Sequence, residues 1–375
     1  MKANRPGRFV LWLSGLALLA VVAAACAPTA PAPTATPVKT TPPAAATVTT
    51  APPQLTPTTA PSPKPTPAPV TKIRIAKSFS NIEIMPWFVA QKEGYYKEEG
   101  LEVEFVRAPG TAGLAALAAG EILLSDSSGS AGNATMEGAP FRQLLSTGRL
   151  SQFTWARDPV KKAADLVGKK FACSSPGDRG CLISQKFMQK KGLDDVAKVT
   201  WLGVGGSGDR LAALKSGAVD AAYLSLLEHI QMLPQEGKGF SFLGDAGGEF
   251  RVVFGGMATS TVTIRDQKDV LQRAIRAVLK GQRFVMDPTK RDKVIQYGME
   301  WASVPKETAT SGYDTATKEQ IMFKDAIAPD QIMKDTIAFD REALKIKAEF
   351  QPTQLYDYSF IQAAIKELDA KGWKP

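Results

Sequence analysis

The stretch GYYKEEGLEVEFV, residues 94–106, decides the fold. Its first half is polar and ends at Gly100, a residue type that commonly stops a helix. Its second half alternates the apolar side chains of Leu101, Val103 and Phe105 with charged ones. This pattern predicts the end of a helix followed by a half-buried strand.

A second copy of this unit follows later in the chain. A predicted helix stops at Gly192 and a strand is predicted over residues 198–202. The pattern Leu-Ala-Ala-Leu-x-x-Gly occurs at residues 114–120 and again at 211–217, each time between two predicted strands. Strands that alternate with helices in this way are typical of a parallel sheet. The sequence therefore predicts two α/β lobes with one topology.

The order changes after residue 245. Strands are predicted over residues 251–254 and 262–265, and an amphipathic helix over 269–286. The remainder, to residue 375, is predicted to be helical and polar.

The beginning of the chain has a different composition. Residues 1–25 carry three basic residues and then an apolar run, which is the pattern of an export signal. Ala23–Ala25 before Cys26 resemble a bacterial lipobox, in which the cysteine receives the lipid, and they also fit an ordinary signal peptidase site. We expect lipidation at Cys26. Residues 26–70 are almost entirely Pro, Thr and Ala, which predicts a lipid-anchored, disordered stalk.

The charge and the histidine and cysteine content limit which kinds of partner and site the chain can have. Without residues 1–25 the chain has 43 Lys and Arg against 37 Asp and Glu, and these basic residues are spread, so no nucleic-acid partner is expected. His229 is the only histidine, and we expect no metal site and no cofactor. Cys173 and Cys181 could form a disulfide or remain two buried thiols.

Five turns that follow predicted strands are rich in glycine and hydroxyl groups. Ligands of open parallel sheets bind at such turns, where the first N–H groups of the next helix are unpaired. Helix capping alone explains any one of them, but five turns around one cleft predict a binding site. The turns are residues 78–81, 110–111, 125–128, 174–179 and 205–209.

Two kinds of enzyme site find little support. Gly203, Gly205 and Gly208 satisfy G-x-G-x-x-G, but the helix that follows is short and no acid ends the next strand, as a dinucleotide site requires. His229 lies in the middle of a predicted helix, and no nucleophile–base pair is visible. The chain is therefore not expected to be an enzyme.

These residues resemble the solute-binding proteins of the nitrate/sulfonate/taurine class of ABC importers, a class that also holds binders of thiamine-pyrimidine precursors. The resemblance rests on residues 94–106 and 110–122, on DLVGKKFA from Asp165 and on LAALKSGAVDAAY from Leu211. It implies an α/β, two-lobed periplasmic-binding-protein fold of the two-hinge type (type II), preceded by the Pro/Thr/Ala linker. Lobe 1 is expected over residues 71–155 plus 260–375, and lobe 2 over 156–259.

The resemblance also implies a function. The protein would capture a small organic solute between its lobes and deliver it to an ABC permease and its ATPase, as a lipid-anchored monomer at the outer face of the cytoplasmic membrane, in the periplasm or at the cell surface. We add Trp87, an aromatic residue beside the turns, and Arg179, a cation at a helix start, to the positions that the resemblance places near the solute. The expected ligand-binding residues are Ser78, Phe79, Asn81, Trp87, Gly110, Thr111, Ser127, Ser175, Arg179, Ser207 and Tyr223.

The chemical class of the solute is open at this point. Arg179 and Arg210 beside helix starts favour an anion such as a sulfonate or carboxylate. Asp126, Asp178 and Asp209 would instead suit an amine or a pyrimidine amino group. We expect an organic anion, with a pyrimidine- or flavin-type vitamin precursor as the alternative. An enzyme on the same fold and a sensor subunit are the rival classes.

Overall fold

The structure is a computed structural model that describes residues 70–78 and 80–375. The strands of this part are β1 (Thr71–Lys77), β2 (Leu101–Arg107), β3 (Leu124–Ser125), β4 (Phe141–Arg149), β5 (Phe153–Arg157), β6 (Lys170–Cys173), β7 (Thr200–Gly203), β8 (Ala221–Leu224), β9 (Phe240–Asp245) and β10 (Val253–Ser260).

The α-helices surround these strands. They are α1 (Met85–Lys92), α2 (Tyr95–Glu98), α3 (Thr111–Ala118), α4 (Ser128–Met136), α5 (Arg179–Lys190), α6 (Ser207–Ser216), α7 (Leu226–Met232), α8 (Ala246–Glu249), α9 (Thr261–Asp266), α10 (Lys268–Met286), α11 (Arg291–Ala302), α12 (Lys306–Lys318), α13 (Asp330–Leu344), α14 (Pro352–Leu355) and α15 (Ser359–Ala370). Within the described residues, no helix is both long enough and apolar enough to span a membrane.

The strands form two five-stranded sheets with the same internal order. The first sheet runs β2-β1-β3-β10-β4 and the second β7-β6-β8-β5-β9. In each sheet the first three strands are parallel, because β1 pairs with β2 and β3, and β6 pairs with β7 and β8. The fourth strand, β10 or β5, is antiparallel to both of its neighbours. The prediction of two α/β lobes with one topology is therefore confirmed.

The chain passes between the sheets twice, through residues 150–152 and through residues 246–252. The division into lobe 1 (71–155 plus 260–375) and lobe 2 (156–259) remains a prediction. Because β5 belongs to the second sheet and β10 to the first, the strand pairing favours crossings slightly before those boundaries.

One predicted strand is wrong. Residues 262–265 were expected to be extended, since their β-branched side chains favour strands, but they lie in helix α9. The Ser260 side chain ends β10 by capping this helix, and its Oγ accepts a hydrogen bond from the Thr263 N–H at 3.1 Å. A local cap thus overrides the propensity of the residues that follow it.

Helix α10 is the core helix of the first lobe, as its amphipathic pattern predicted. Leu271, Ile275, Val278 and Leu279 are fully buried on one face. The helix packs closely against α1, since a Cβ atom built on Gly281 would lie 2.1 Å from the Pro86 carbonyl oxygen. Only a glycine at this position allows the backbones of α10 and α1 to approach each other so closely.

Replacing Gly281 tests this contact. We expect Gly281→Ala to lower the free energy of unfolding by about 1–3 kcal/mol, because the new methyl group must push backbone apart. Gly298→Ala in α11 is the matched control, since its nearest atoms would lie 3.7 Å away and alanine favours a helix. Urea unfolding of both variants measures the difference, and equal stabilities would contradict the close packing.

Candidate functional site

A cavity of about 430 Å³, counted out to its open mouth, lies between the two sheets and is lined from both. Most of its residues follow the carboxyl ends of the parallel strands, as the sequence predicted. They are Ser78, Gly110, Asp126, Ser127, Gly129, Ser130, Ser174, Asp178, Arg179, Gly180, Tyr223 and Phe254. A second cavity of about 630 Å³ shares Ser78 with it and is lined by Lys77, Ser80, Arg107, Gly206, Ser207, Gly208, Asp209, Glu228 and Ala302.

The two lobes touch beside the first cavity. Gly110, at the start of α3, has a φ of +56°, a conformation that favours glycine. A Cβ atom at Gly110 would lie 3.3 Å from the Ser175 Cβ of the other lobe. Arg107 of β2 also forms an ion pair with Asp209 of α6 across the cleft. The turns of both lobes are therefore within reach of one small molecule.

The helix starts around the cavity differ between the lobes. Among the described residues, no side chain caps α3 or α4. In the second lobe, Asp178 caps α5 by accepting from the Cys181 N–H at 2.7 Å, and Asp209 accepts from the Gly206 N–H at 3.0 Å before α6. The first lobe thus offers two uncapped helix N-termini, which attract anions, whereas in the second lobe carboxyl groups bond the N–H groups at the helix starts.

Two buried carboxyl groups lie in the first cavity. Asp126 accepts hydrogen bonds from the Ser78 N–H at 2.5 Å and from the Ser78 Oγ at 2.6 Å. Burial raises the pKa of Asp126 to about 7, although the bonds from Ser78 and the charge of Lys77 oppose the shift. Burial also raises the pKa of Asp178, which accepts from the Ser174 hydroxyl. Proton binding to Asp126 near neutral pH therefore changes the charge of the cavity.

Arg210 does not present its charge to the cavity. Its Nε donates to the Tyr223 carbonyl oxygen at 2.7 Å, and its guanidinium group stacks 3.9 Å from the centre of the Tyr223 ring. The Tyr223 hydroxyl bonds the Ser174 Oγ at 2.7 Å, and burial raises the pKa of Tyr223 to about 12, so this hydroxyl stays neutral. The expectation that Arg210 attracts the anion is not supported, because it joins α6 to β8.

Arg179 is held by hydrogen bonds to two elements outside its own helix. Its Nε donates to Asp340 of α13 at 3.0 Å and its Nη1 to the Val253 carbonyl oxygen of β10 at 2.7 Å. Its Nη2 is buried and has no hydrogen-bond partner among the described residues. Arg210 Nη2 is likewise buried without a partner in the part of the chain that the structure describes, but Arg179 lines the first cavity whereas Arg210 lines neither cavity.

The structure brings most of the predicted site residues together. Ser78, Gly110, Ser127, Arg179 and Tyr223 line the first cavity, Ser207 lines the second, and Ser175 lies against Gly110.

Three predicted residues lie elsewhere. Thr111 is exposed at the start of α3, and Asn81 is buried, with its carbonyl oxygen accepting from the Trp301 indole N–H. Trp87 lies in α1 and is fully buried in the core, so the structure gives no support for its contact with a ligand. Phe79 and Cys26 lie outside the described residues.

Sequence reasoning missed several lining residues. Ser174 lies inside a turn that the sequence singled out, and Gly129 and Ser130 directly follow another, so a slightly wider window would have included these two. Glu228 and Phe254 carry no such signal, because a helix residue and a strand residue reach the cavities through the packing of the lobes.

The single histidine is half-buried and packs against aromatic side chains. The Trp155 indole N–H donates to His229 Nδ1 at 3.0 Å, and the imidazole stacks on Phe153 with ring centres 4.0 Å apart. Burial lowers the pKa of His229 to about 4, so the ring is neutral at pH 7. Within residues 70–78 and 80–375, no cluster of His, Cys, Asp and Glu side chains could hold a metal ion.

A disulfide fixes one wall of the cavity. Cys173 at the end of β6 is bonded to Cys181 in the first turn of α5, with Cα atoms 5.3 Å apart. The short loop between them carries Ser174 and Asp178, two of the lining residues. The bridge therefore limits the conformations of this turn.

Comparison with known proteins places the chain in a family. The sequence model of the NMT1/THI5-like family matches residues 81–290, more than half of the chain. The chain belongs to the NMT1/THI5-like family. None of the curated protein sequences compared with it matches.

Solved structures share the fold of this NMT1/THI5-like protein. The nitrate-binding protein NrtA from Synechocystis PCC 6803 superimposes with a TM-score of 0.65 at 15% identity, over 80% of this chain and 90% of NrtA. The alkanesulfonate-binding protein SsuA from Xanthomonas axonopodis pv. citri gives 0.59 at 15% identity, over 79% and 98%. The desulfurization enzyme DSZB gives 0.53 at 14% identity, over 79% and 99%.

These superpositions, at 14–15% identity, show that the proteins share a fold. The two-lobed α/β fold of periplasmic binding proteins, expected from the sequence, is confirmed. The resemblance to solute-binding proteins of the nitrate/sulfonate/taurine class is confirmed as well, by the family match together with NrtA and SsuA.

The buried Asp126 predicts how stability depends on pH. The folded protein holds this proton up to a pKa of about 7, whereas an ordinary aspartate releases it near 3.8. Its contribution to stability is therefore complete below pH 4 and is lost as the pH rises to 7. Relative to Asp126→Asn, we expect the wild type to lose up to about 4 kcal/mol of unfolding free energy between pH 4 and 8.

Denaturant unfolding at several pH values measures this difference. Asp209→Asn, which changes a largely exposed aspartate of the neighbouring cavity, is the control. A constant difference between wild type and Asp126→Asn across this range would show that the carboxyl group is not proton-linked to folding.

Proposed function

We propose that this protein is an extracytoplasmic solute-binding protein that captures a small organic anion between its lobes and delivers it to an ABC permease. The observation that carries the proposal is the cavity itself, lined by turns at the carboxyl ends of two matched parallel sheets. A solute that contacts both lobes favours their closed arrangement, which a membrane permease can recognise. NrtA and SsuA, with the same fold, are binding proteins for nitrate and alkanesulfonate.

The choice of an anion rests on the first lobe and on Arg179. The uncapped starts of α3 and α4 point positive dipole ends toward the cavity region, and Arg179 keeps one donor unused. Asp126 opposes an anion when ionised, but its pKa of about 7 lets it bind a proton at little cost. Anion binding would then be accompanied by proton uptake.

A pyrimidine- or flavin-type vitamin precursor is the second candidate. Asp126 and Asp178 both present carboxyl oxygens to the cavity, and such oxygens accept hydrogen bonds from ring amino groups. An enzyme on the same fold is the candidate from another class, since DSZB shares it. Turnover of a bound solute would favour the enzyme over both binding proteins.

Export and anchoring are part of the proposal and rest on the sequence. The signal-like residues 1–25, the lipobox-like residues before Cys26 and the stalk to residue 70 would hold the two lobes near the membrane that carries the permease. We expect Cys26→Ala to move the protein from the membrane fraction to the soluble fraction, and mass spectrometry of the wild-type N-terminal peptide to show a diacylglycerol on Cys26. An unmodified N-terminus created by cleavage at an ordinary A-x-A site would contradict the anchor.

A thermal-shift panel tests the solute class. Alkanesulfonates, carboxylates, nitrate, pyrimidines and flavins are added in turn, and a solute at 100 times its Kd should stabilise the protein by about 2.7 kcal/mol. Ser130→Phe places a ring at the cavity wall and should abolish the shift. Ser216→Phe, at an exposed position at the end of α6, is the control. If every solute leaves the melting temperature unchanged, the proposed class is wrong.

A further inference from the structure

A buried charge pair joins the solute cavity to the C-terminal helices. Arg179 is the first residue of α5, which packs on the second sheet, and Asp340 lies on α13, far along the chain. Their side chains are each 3% exposed, with Arg179 Nε 3.0 Å from Asp340 Oδ1. The ion pair therefore lies in the interior rather than at the surface.

Arg179 also reaches into the first lobe. Its Nη1 bonds the Val253 carbonyl oxygen at the start of β10, beside one of the two crossings. Its Cδ would lie 2.5 Å from a Cβ atom on Gly129, so the first turn of α4 leaves just enough room for the arginine. One side chain thus connects α5 with α4, β10 and α13.

This pair is poorly suited to a purely structural role. Burial raises the pKa of Asp340 to about 6 in spite of the neighbouring guanidinium group, so the cost of burial exceeds the attraction of Arg179 for its charge. The unpartnered Nη2 adds the further cost of a buried donor without an acceptor. Replacing such a pair by apolar side chains is often neutral or stabilising, so a function in binding accounts for it better.

The position of Arg179 indicates that function. Arg179 lines the cavity next to the start of α4, whose first N–H groups no described side chain caps. A planar guanidinium group with two of its sides fixed by Asp340 and Val253 can turn only its remaining nitrogen toward a further acceptor. A carboxylate or sulfonate oxygen is the kind of acceptor that both the guanidinium and the helix start favour.

We propose that Asp340 is a positioning residue of the solute site, which holds Arg179 so that its free Nη2 binds the anionic group of the solute at the start of α4. The inference rests on the proposed function, since it names the subsite for the anion. It makes α13 part of the site without direct contact between Asp340 and the solute.

Calorimetry with charged and neutral probes tests this role. The probes are ethanesulfonate, propionate and the uncharged propionamide, and the variants are Asp340→Asn and Asp340→Glu. We expect Asp340→Asn to weaken both anions by about tenfold or more while propionamide changes little, because the anion loses a fixed charged donor. Asp340→Glu, which keeps the carboxylate, should restore part of the affinity. Equal weakening of all three probes would mean a merely structural role and would overturn the proposal.

Glu342→Gln is the matched control, because Glu342 lies on the same helix and pairs with Lys186 of α5 at the surface, 2.8 Å away. Hydrogen exchange without any solute is the second measurement. We expect the amides of residues 128–132 and 180–184 to exchange about tenfold faster in Asp340→Asn than in the wild type or in Glu342→Gln, because Arg179 loses its fixed partner. If no anion binds the wild type, the proposed function fails, whereas unchanged exchange in Asp340→Asn overturns the positioning role by itself.

Discussion

The pairing of β10 between β3 and β4 is the constraint on which the rest of the structure depends. This strand completes the first sheet, yet it comes after every strand of the second sheet in the chain. The first sheet is therefore completed only when the chain returns from the second sheet. Two short connections, residues 150–152 and 246–252, hold the sheets together, and Arg179 bonds the first residue of β10 where the second connection ends.

This arrangement also explains why the chemistry gathers in one place. The parallel strands of both sheets end toward the same cleft, so turns that are far apart in sequence line one cavity. Cations and carboxyl groups meet around it: Arg107 pairs with Asp209 and Arg179 with Asp340, Lys77 lies near Asp126, and Asp178 and Glu228 add two further buried carboxyl groups. The protonation of the buried acids Asp126 and Asp178 therefore affects how strongly the cavity repels an anion.

Local patterns predicted the fold well, because the doubled unit repeats its helix stops and its strand alternation. The repeat at residues 114–120 and 211–217 marks two helices, α3 and α6, that occupy equivalent positions in the two lobes. The strand prediction for residues 262–265 failed because the Ser260 hydroxyl caps a helix there. This cap overrides the strand preference of the residues themselves.

The candidate site could be predicted only in part. Its turns are determined by neighbouring residues in the sequence, whereas the hydrogen-bond partners of its side chains lie far away in the chain. Ser78, Gly110 and Ser127 follow strands and were found from the pattern. Whether an arginine faces a solute or a backbone carbonyl depends on tertiary packing, so Arg179 and Arg210 looked alike in the sequence but have different partners. Asp340 had no local signal at all, because only the packing of α13 brings it to Arg179.

Two of the ion pairs between the lobes resist separation of the lobes to different degrees. The pair of Arg107 and Asp209 is largely exposed, and such pairs contribute roughly 0–1 kcal/mol, so opening the cleft loses little there. The pair of Arg179 and Asp340 is buried, so separating its members exposes both charges to water and recovers the hydration that burial removed. Opening is then favoured by hydration of the buried pair and opposed by the remaining contacts of Arg179 with Val253 and α4. An acceptor that bonds Nη2 adds one more contact that opposes opening of the cleft. In this way a bound anion can hold the lobes together without any change in the core of either lobe.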